Sequence, residues 1–470
     1  MKQFKVKMIL LLFACLFSCS LFVQSEDFAR VSSEQKAFEL SVIWKELSYN
    51  FANWDNCPDI NLDSLYRAYI PIVKETKNDF DYSKALLKFL SNFNHGHVFC
   101  TYPDYMQNNI AYLFLTTYKK DEKTFVDKCC EIYSLQKDDE ILNINDLSIS
   151  EYIEKFVTPY LPTLNKEKYA RIDFESALNS DNEKLIFTIK RGIDIKKIEV
   201  PFICNADFEN DTIKYQQIKD FYNSFSMTRT NDFLVDPIND FAYIKLTACD
   251  QSFHDFYSEK YDTILNYNNL ILDLIDNVGG DGGTTNIACF TLTDVDSLRW
   301  FDMKTRINNA HYKAKATNRI FFFKPENVTQ EDKDLYYPFF YNNAFEFIKN
   351  NAFQNPVPPN DRYKGNVYVL VNAGTASAAE GLILTLQLCE KVSIWGEKTS
   401  GALGQPLVIK LDSGIDVYIN TSKANNIKGE DVSSGIKPDY EYDFSEINKI
   451  SNPYERLSKY IELIKTRISD

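Results

Sequence analysis

The stretch Val367-Tyr368-Val369-Leu370-Val371-Asn372-Ala373-Gly374-Thr375-Ala376-Ser377-Ala378-Ala379-Glu380-Gly381-Leu382-Ile383-Leu384-Thr385-Leu386 decides how the rest of the chain is read. Its first five residues are all apolar, as in a strand buried on both faces of a sheet. The run from Ala378 onward reads as a buried helix. Ser377 falls at the tight turn between them. A serine placed there stands exposed, and its own turn supplies backbone N–H groups to a developing oxyanion. Serine is also a favoured helix N-cap. The local pattern alone therefore leaves Ser377 as either a cap or a nucleophile, and the surrounding chain has to decide.

Outward from this stretch, strand and helix alternate. Phe241–Leu246 reads as a strand, His254–Tyr267 as a helix, Asn269–Ile275 as a strongly apolar strand, and Val392–Trp395 as another strand after the serine helix. Such alternation predicts an α/β domain. Residues 300–362 form an aromatic and polar insertion with no clear period. Upstream, residues 33–93 carry apolar residues at helical spacing (Phe38, Val42, Ile43, Leu47, Phe51) and predict a helical module ending at Asn94-His95-Gly96-His97. Between the two, short strands are expected at Phe125-Val126, Ile132-Tyr133, Ile141–Ile144 and Leu185–Ile189, with one helix at Ile149–Phe156. The expected fold class is multidomain, α/β with α+β: 1–25 as a signal segment, 26–106 helical, 107–205 a small β domain, and 206–470 the α/β domain.

Composition narrows the function. At 470 residues the chain exceeds one ordinary core. Lys2, Lys5 and Lys7 precede the apolar run Met8–Phe17, as in a secretory signal. Leu16-Phe17-Ser18-Cys19 fits a lipobox, with Cys19 as a lipidated membrane tether, while Val23-Gln24-Ser25 fits ordinary cleavage. Both stay open, and both predict an extracytoplasmic protein. The formal charge is −14, and loss of the three lysines in residues 1–25 leaves −17. That argues against nucleic acid as a partner. Of ten cysteines, Cys15 and Cys19 lie in the signal. The other eight (Cys57, Cys100, Cys129, Cys130, Cys204, Cys249, Cys289, Cys389) show no CxxC and do not read as a metal site.

Two further features carry chemistry. Asp276-Asn277-Val278-Gly279-Gly280-Asp281-Gly282-Gly283 follows the Asn269–Ile275 strand and holds four of the chain's fifteen glycines. Glycines let a backbone approach a ligand and expose N–H groups, yet the spacing is neither GxGxxG nor a P-loop, so no nucleotide is expected. His97 is one of only four histidines, with His95, His254 and His311. No acidic or cysteine cluster flanks His95 and His97, so no metal is expected.

In chain order, these pieces are His97; Asp273, Asn277, Gly279 and Gly280; Thr375–Glu380; Gly396-Glu397-Lys398-Thr399-Ser400-Gly401; and Gly435-Ile436-Lys437-Pro438-Asp439. Together they resemble the S41 peptidase family of C-terminal processing and tricorn-type serine proteases. Asp138–Asn145 resembles the family's PDZ loop and strand, with Asp138 where a glycine is usual. The resemblance implies a PDZ-like domain over 107–205 and a catalytic domain of the ClpP/crotonase-like type over 206–470. It implies Ser377 as nucleophile, with Ala378 and either Gly279 or Gly280 as oxyanion-hole donors. One branch uses a lysine just after the Thr-x-Gly motif, where this chain has Ala402; Lys398 is the remaining substitute. The tricorn-type branch uses a histidine at the end of the helical module, which is the place of His97. Glu430, with Asp431 as rival, is implied as the orienting acid. Glu380 and Glu397 are read as stabilising the helix start and the loop. The expected activity is peptide-bond hydrolysis of a polypeptide substrate without cofactor. The rival readings are a non-catalytic peptide- or apolar-ligand-binding protein on the same scaffold, and an esterase.

Overall fold

The computed structural model describes residues 28–469 except 122, 167–169, 173–175, 179–183, 205–215, 219–220, 222–229, 308–309, 322 and 349–351. The expected signal segment, including Cys19, lies outside the described residues. Among the described residues no helix is long and apolar enough to cross a membrane.

The expected apolar strands do form one sheet, and it positions everything else. Its order is Asp232–Asp236, Phe241–Lys245, Asn269–Asp273, Asn366–Val371, Val392–Gly396, Tyr440–Glu441. The first pair is antiparallel and the others are parallel. Side chains alternate across it. Leu270, Leu272, Val367 and Val369 face a core closed by the serine helix and by Phe253, Tyr257, Ala288 and Leu292. Ile271, Tyr368 and Leu370 face the opposite core, closed by Leu457, Tyr460, Ile461 and Ile464 of the C-terminal helix Pro453–Ser469. Burial on both faces is why these strands read as unbroken apolar runs. The helix expected at His254–Tyr267 instead spans Gln251–Ile264, because Asp250 caps it by accepting from Ser252 N and Phe253 N.

The small β region is an antiparallel sheet in the order Leu115–Lys120, Lys123–Cys129, Glu140–Ile144, Lys184–Arg191, Asp194–Pro201. The helix Ile149–Phe156 covers it, started by a reciprocal Ser148–Glu151 capping box. Ile132-Tyr133, expected as a strand, forms a turn. Tyr133 is buried there because its hydroxyl accepts from Phe114 N and donates to Pro201 O.

The helices Ser33–Asn50, Leu62–Lys74 and Asp79–Leu90 form the N-terminal module. Its core is completed from far along the chain, by Leu411, Ile415, Val417 and Ile419. Phe99–Cys100 pairs with Asp416–Asn420, which pairs in turn with Pro406–Lys410. The 300–362 insertion contributes the helices Ala310–Phe321 and Gln330–Phe340, and a strand, Asp302–Arg306, paired with Ser422–Asn425. Arg306 bridges insertion and module, donating to the carbonyls of Ser48, Phe51 and Asn342.

Ile419 is fully buried in the helical module's core. Ile419→Ala is expected to lower unfolding free energy by roughly 2–5 kcal/mol in chemical denaturation. Amide protection should fall in Ser33–Asn50 as well as around Ile419, since one core serves both.

Candidate active site

The sheet brings two loops together at the carboxyl ends of its central parallel strands, Asn269–Asp273 and Asn366–Val371, where α/β sites form. One carries the glycines and the other Ser377. Ala376 N donates to Asn277 O at 2.9 Å, and Thr375 Oγ1 donates to Leu274 O at 2.9 Å. Asn277 is fully buried. Its Nδ2 donates to Leu246 O at 2.8 Å, and its Oδ1 accepts Gly279 N at 2.9 Å.

Ser377 starts the helix Ala378–Leu386 with φ 55° and ψ −121°. This is the left-handed side of the backbone map, and a serine held there stores strain of about 1–3 kcal/mol. Gly279 presses against the same turn. A Cβ on it would lie 2.6 Å from Ser377 Cβ and 2.7 Å from Ala378 N, at φ +86°. Only glycine fits so close an approach. The sequence left Gly279 and Gly280 as alternative oxyanion donors, and the hydrogen bonds separate them. Gly279 N–H is engaged by Asn277. The N–H groups of Gly280 and Ala378 are not engaged by any acceptor among the described residues. Gly280 is fixed by the bridge to Cys249, whose N donates to Gly279 O and whose O accepts from Asp281 N. Burial pushes the Cys249 thiol up to about 12, so it stays protonated and is not a nucleophile.

Glu380 ties the serine turn to the following loop. Its buried carboxylate accepts from Ser377 N (2.9 Å), Thr399 Oγ1 (2.6 Å), Gly401 N (2.8 Å) and Ala402 N (3.0 Å). Burial raises its pKa, and these four donors pull it back. Ala402 in turn abuts the histidine loop: a Cβ on Gly96 would lie 3.1 Å from Ala402 Cβ.

His97 belongs to that loop. Its Nδ1 is buried and has no hydrogen-bond partner among the described residues. Burial lowers its pKa to about 4, and lowers that of His95 to about 3 with a smaller contribution from His97. Neither candidate acid holds His97. Glu430 is exposed at a hairpin tip, accepting Asn426 Nδ2 at 2.6 Å. Asp431 accepts Ser433 N at 2.8 Å and lies 3.7 Å from Lys423 Nζ. Lys398, the possible lysine substitute, donates to Ser434 Oγ at 3.0 Å. Among the described residues no group of three or more His, Cys, Asp and Glu side chains is placed to hold a metal. The sequence reading named Asn277 among its pieces and gave Glu380 the helix start, but it did not foresee that Asn277 Oδ1 takes Gly279 N or that four donors converge on Glu380.

Comparison with known proteins shows what this chain is similar to. Residues 240–442 match the model of Peptidase family S41. The match covers the C-terminal region, with the glycine loop, Ser377, Glu380 and the Gly435–Asp439 segment inside it and His97 outside. Among solved structures, mature CPAF complexed with lactacystin is similar at 13% identity and a TM-score of 0.63, over 93% of this chain and 98% of that one. Uncomplexed mature CPAF is similar at 13% identity and 0.63, over 92% and 96%. The photosystem II D1 C-terminal processing protease gives 13% identity and 0.44, over 87% and 94%. At these identities the CPAF structures share the fold. No curated protein matches in sequence.

Buried His95 and half-buried His97 predict a pH dependence. Both bind a proton in the unfolded chain near the usual 6.5 and resist it in the folded one. Their contribution to stability is therefore complete above pH 6.5 and is lost as pH falls towards 4. With nearly two protons taken up on unfolding, the unfolding free energy should drop by about 2–3 kcal/mol per pH unit around pH 5.5. Urea denaturation at pH 7.5, 6 and 5 measures this slope, and His95→Asn should roughly halve it.

Proposed function

We propose that the chain is an exported serine peptidase that hydrolyses polypeptides through Ser377, with His97 as general base. The observation that carries this reading is the strained Ser377 turn pressed against Gly279, with the N–H groups of the next residue on each side, Ala378 and Gly280, unengaged among the described residues. The family S41 match over the same residues supports peptidase chemistry.

In this reading Ser377 Oγ attacks the scissile carbonyl carbon and its proton passes to His97. The carbonyl oxygen becomes an oxyanion that accepts from Ala378 N–H and Gly280 N–H. The C–N bond then breaks, the proton moves from His97 to the leaving amine, and water releases the acyl group by the same steps in reverse roles. The low pKa of His97 keeps its imidazole neutral, and so able to accept a proton, throughout the physiological range. Glu430 is not needed in this scheme. The small antiparallel sheet is read as a PDZ-like domain that holds the substrate as an added strand. The N-terminal segment directs export, with Cys19 lipidation or ordinary cleavage as its two processing routes.

The opposing reading, a binding protein without catalysis, draws on the unpartnered His97 Nδ1. A fluorophosphonate probe separates the two. Wild-type protein should be labelled, Ser377→Ala should not be, and His97→Ala should react at least about 10²-fold more slowly. Well-folded wild-type protein that fails to label supports the binder instead. For the enzyme, kcat/KM on a peptide substrate should hold from pH 7 down to about 5 and fall with an acid limb near 4, rather than near the ordinary histidine value. Peptide substrates tested against ester analogues distinguish the esterase reading.

A further inference from the structure

We propose that His95 is a positioning residue whose imidazole Nδ1 holds the backbone N–H of His97 and so fixes the segment from which the base projects. The inference rests on the reading of His97 as base.

The contact is direct: His97 N–H donates to His95 Nδ1 at 3.1 Å. This is a side chain accepting from the backbone two residues on, the geometry that Asn and Asp adopt in an Asx-turn. It settles the tautomer. Nδ1 carries the lone pair, so the proton of the neutral ring is on Nε2, which is buried without a partner among the described residues. A doubly protonated ring could not accept this bond, and burial keeps His95 neutral. His95 is itself 1% exposed and cannot swing aside into solvent.

The rest of the loop is anchored on both sides of this bond. Asn94 adopts φ 52° and exchanges side-chain bonds with Asn56, its Nδ2 donating to Asn56 O at 3.1 Å and its O accepting Asn56 Nδ2 at 3.4 Å. Val98 N donates to His95 O at 2.9 Å. Gly96 lies against Ala402, whose N–H is held by Glu380, which also holds Ser377 N. One chain of contacts therefore runs from the serine turn to the histidine loop. Among the described residues His97 Nδ1 has no hydrogen-bond partner, so its ring is placed by its backbone and packing, and that backbone is held by His95.

The test compares an acceptor with a non-acceptor at position 95. Asn places Oδ1 where His places Nδ1, Gln places its oxygen one bond further out, and Leu fills the space with no acceptor. The readouts are the inactivation rate with a fluorophosphonate, KM and kcat on one peptide substrate, the thermal melt, and hydrogen exchange of the segment 93–99. His95→Asn should stay within about threefold of wild type. His95→Leu and His95→Gln should lose about thirtyfold or more in inactivation rate and kcat, with KM changed less than about twofold and faster exchange in 93–99. If Leu fails to fold, the Asn–Gln comparison carries the test. Equal impairment of all three variants, or wild-type rates in Leu or Gln, overturns the proposal. His97→Ala is the control for the base. If it reacts at the wild-type rate, the base reading fails and this proposal with it. If it is inactive while His95→Leu or His95→Gln is not, only the role of His95 falls.

Discussion

The buried carboxylate of Glu380 is the constraint on which the site depends. A carboxylate removed from water without partners is costly enough to protonate or unfold its surroundings. Glu380 is tolerated because four donors converge on its two oxygens. Three of these donors are backbone N–H groups belonging to two separate loops. Satisfying the charge therefore fixes the spacing of those loops to within hydrogen-bond tolerance. The left-handed conformation of Ser377 is one result, since its N–H must turn back towards Glu380 while its carbonyl already accepts from Gly381 N. The strain at Ser377 and the desolvation of Glu380 are thus offset by the same bonds, and neither feature would persist without the other.

The same bonds explain why Ala402 and the histidine loop belong together. With its N–H held by Glu380, residue 402 cannot withdraw, and its Cβ meets Gly96. A Cβ at residue 96 would lie 3.1 Å from that of Ala402, close enough that the alanine would have to give slightly.

How much of this was legible in the sequence followed from how local its cause was. Asn269–Asp273 and Asn366–Val371 were visible because burial on both faces leaves a continuous apolar run. Ile149–Phe156 was visible because its cap and its apolar face lie within one short segment. Ile132-Tyr133 misled because its apolar character reported burial, while the conformation was set by the distant partners of Tyr133. The helices of the insertion were hidden by interleaved aromatic and polar residues, and by Pro338 inside one of them. The serine turn and glycine loop could be named from sequence, but which of Gly279 and Gly280 has its N–H engaged could not, because it depends on which of them Asn277 turns its oxygen towards. The completion of the helical core by residues 411–419 left no local trace at all.

The charges around the histidine loop complete the physical picture. A serine–histidine pair ordinarily gains from a carboxylate that holds the imidazole and stabilises it once charged. Here the acids expected near His97 are already committed. Asn426 binds Glu430, and Asp431 faces Lys423, a buried cation that also pairs with Asp55 of the N-terminal module. Lys423 needs those carboxylates, since an ammonium in its position is strongly disfavoured without a counter-ion. Drawing Asp431 towards His97 would therefore strip a buried charge of part of its compensation. The histidine loop is instead held by uncharged contacts: the Nδ1 of His95, the Asn94–Asn56 exchange and the fit of Gly96 against Ala402. Such a loop keeps its geometry without placing a second buried charge beside Glu380. In the proposed reading of His97 as base, an imidazole held this way stays neutral over a wide pH range but is intrinsically weak, so proton transfer draws on placement more than on basicity.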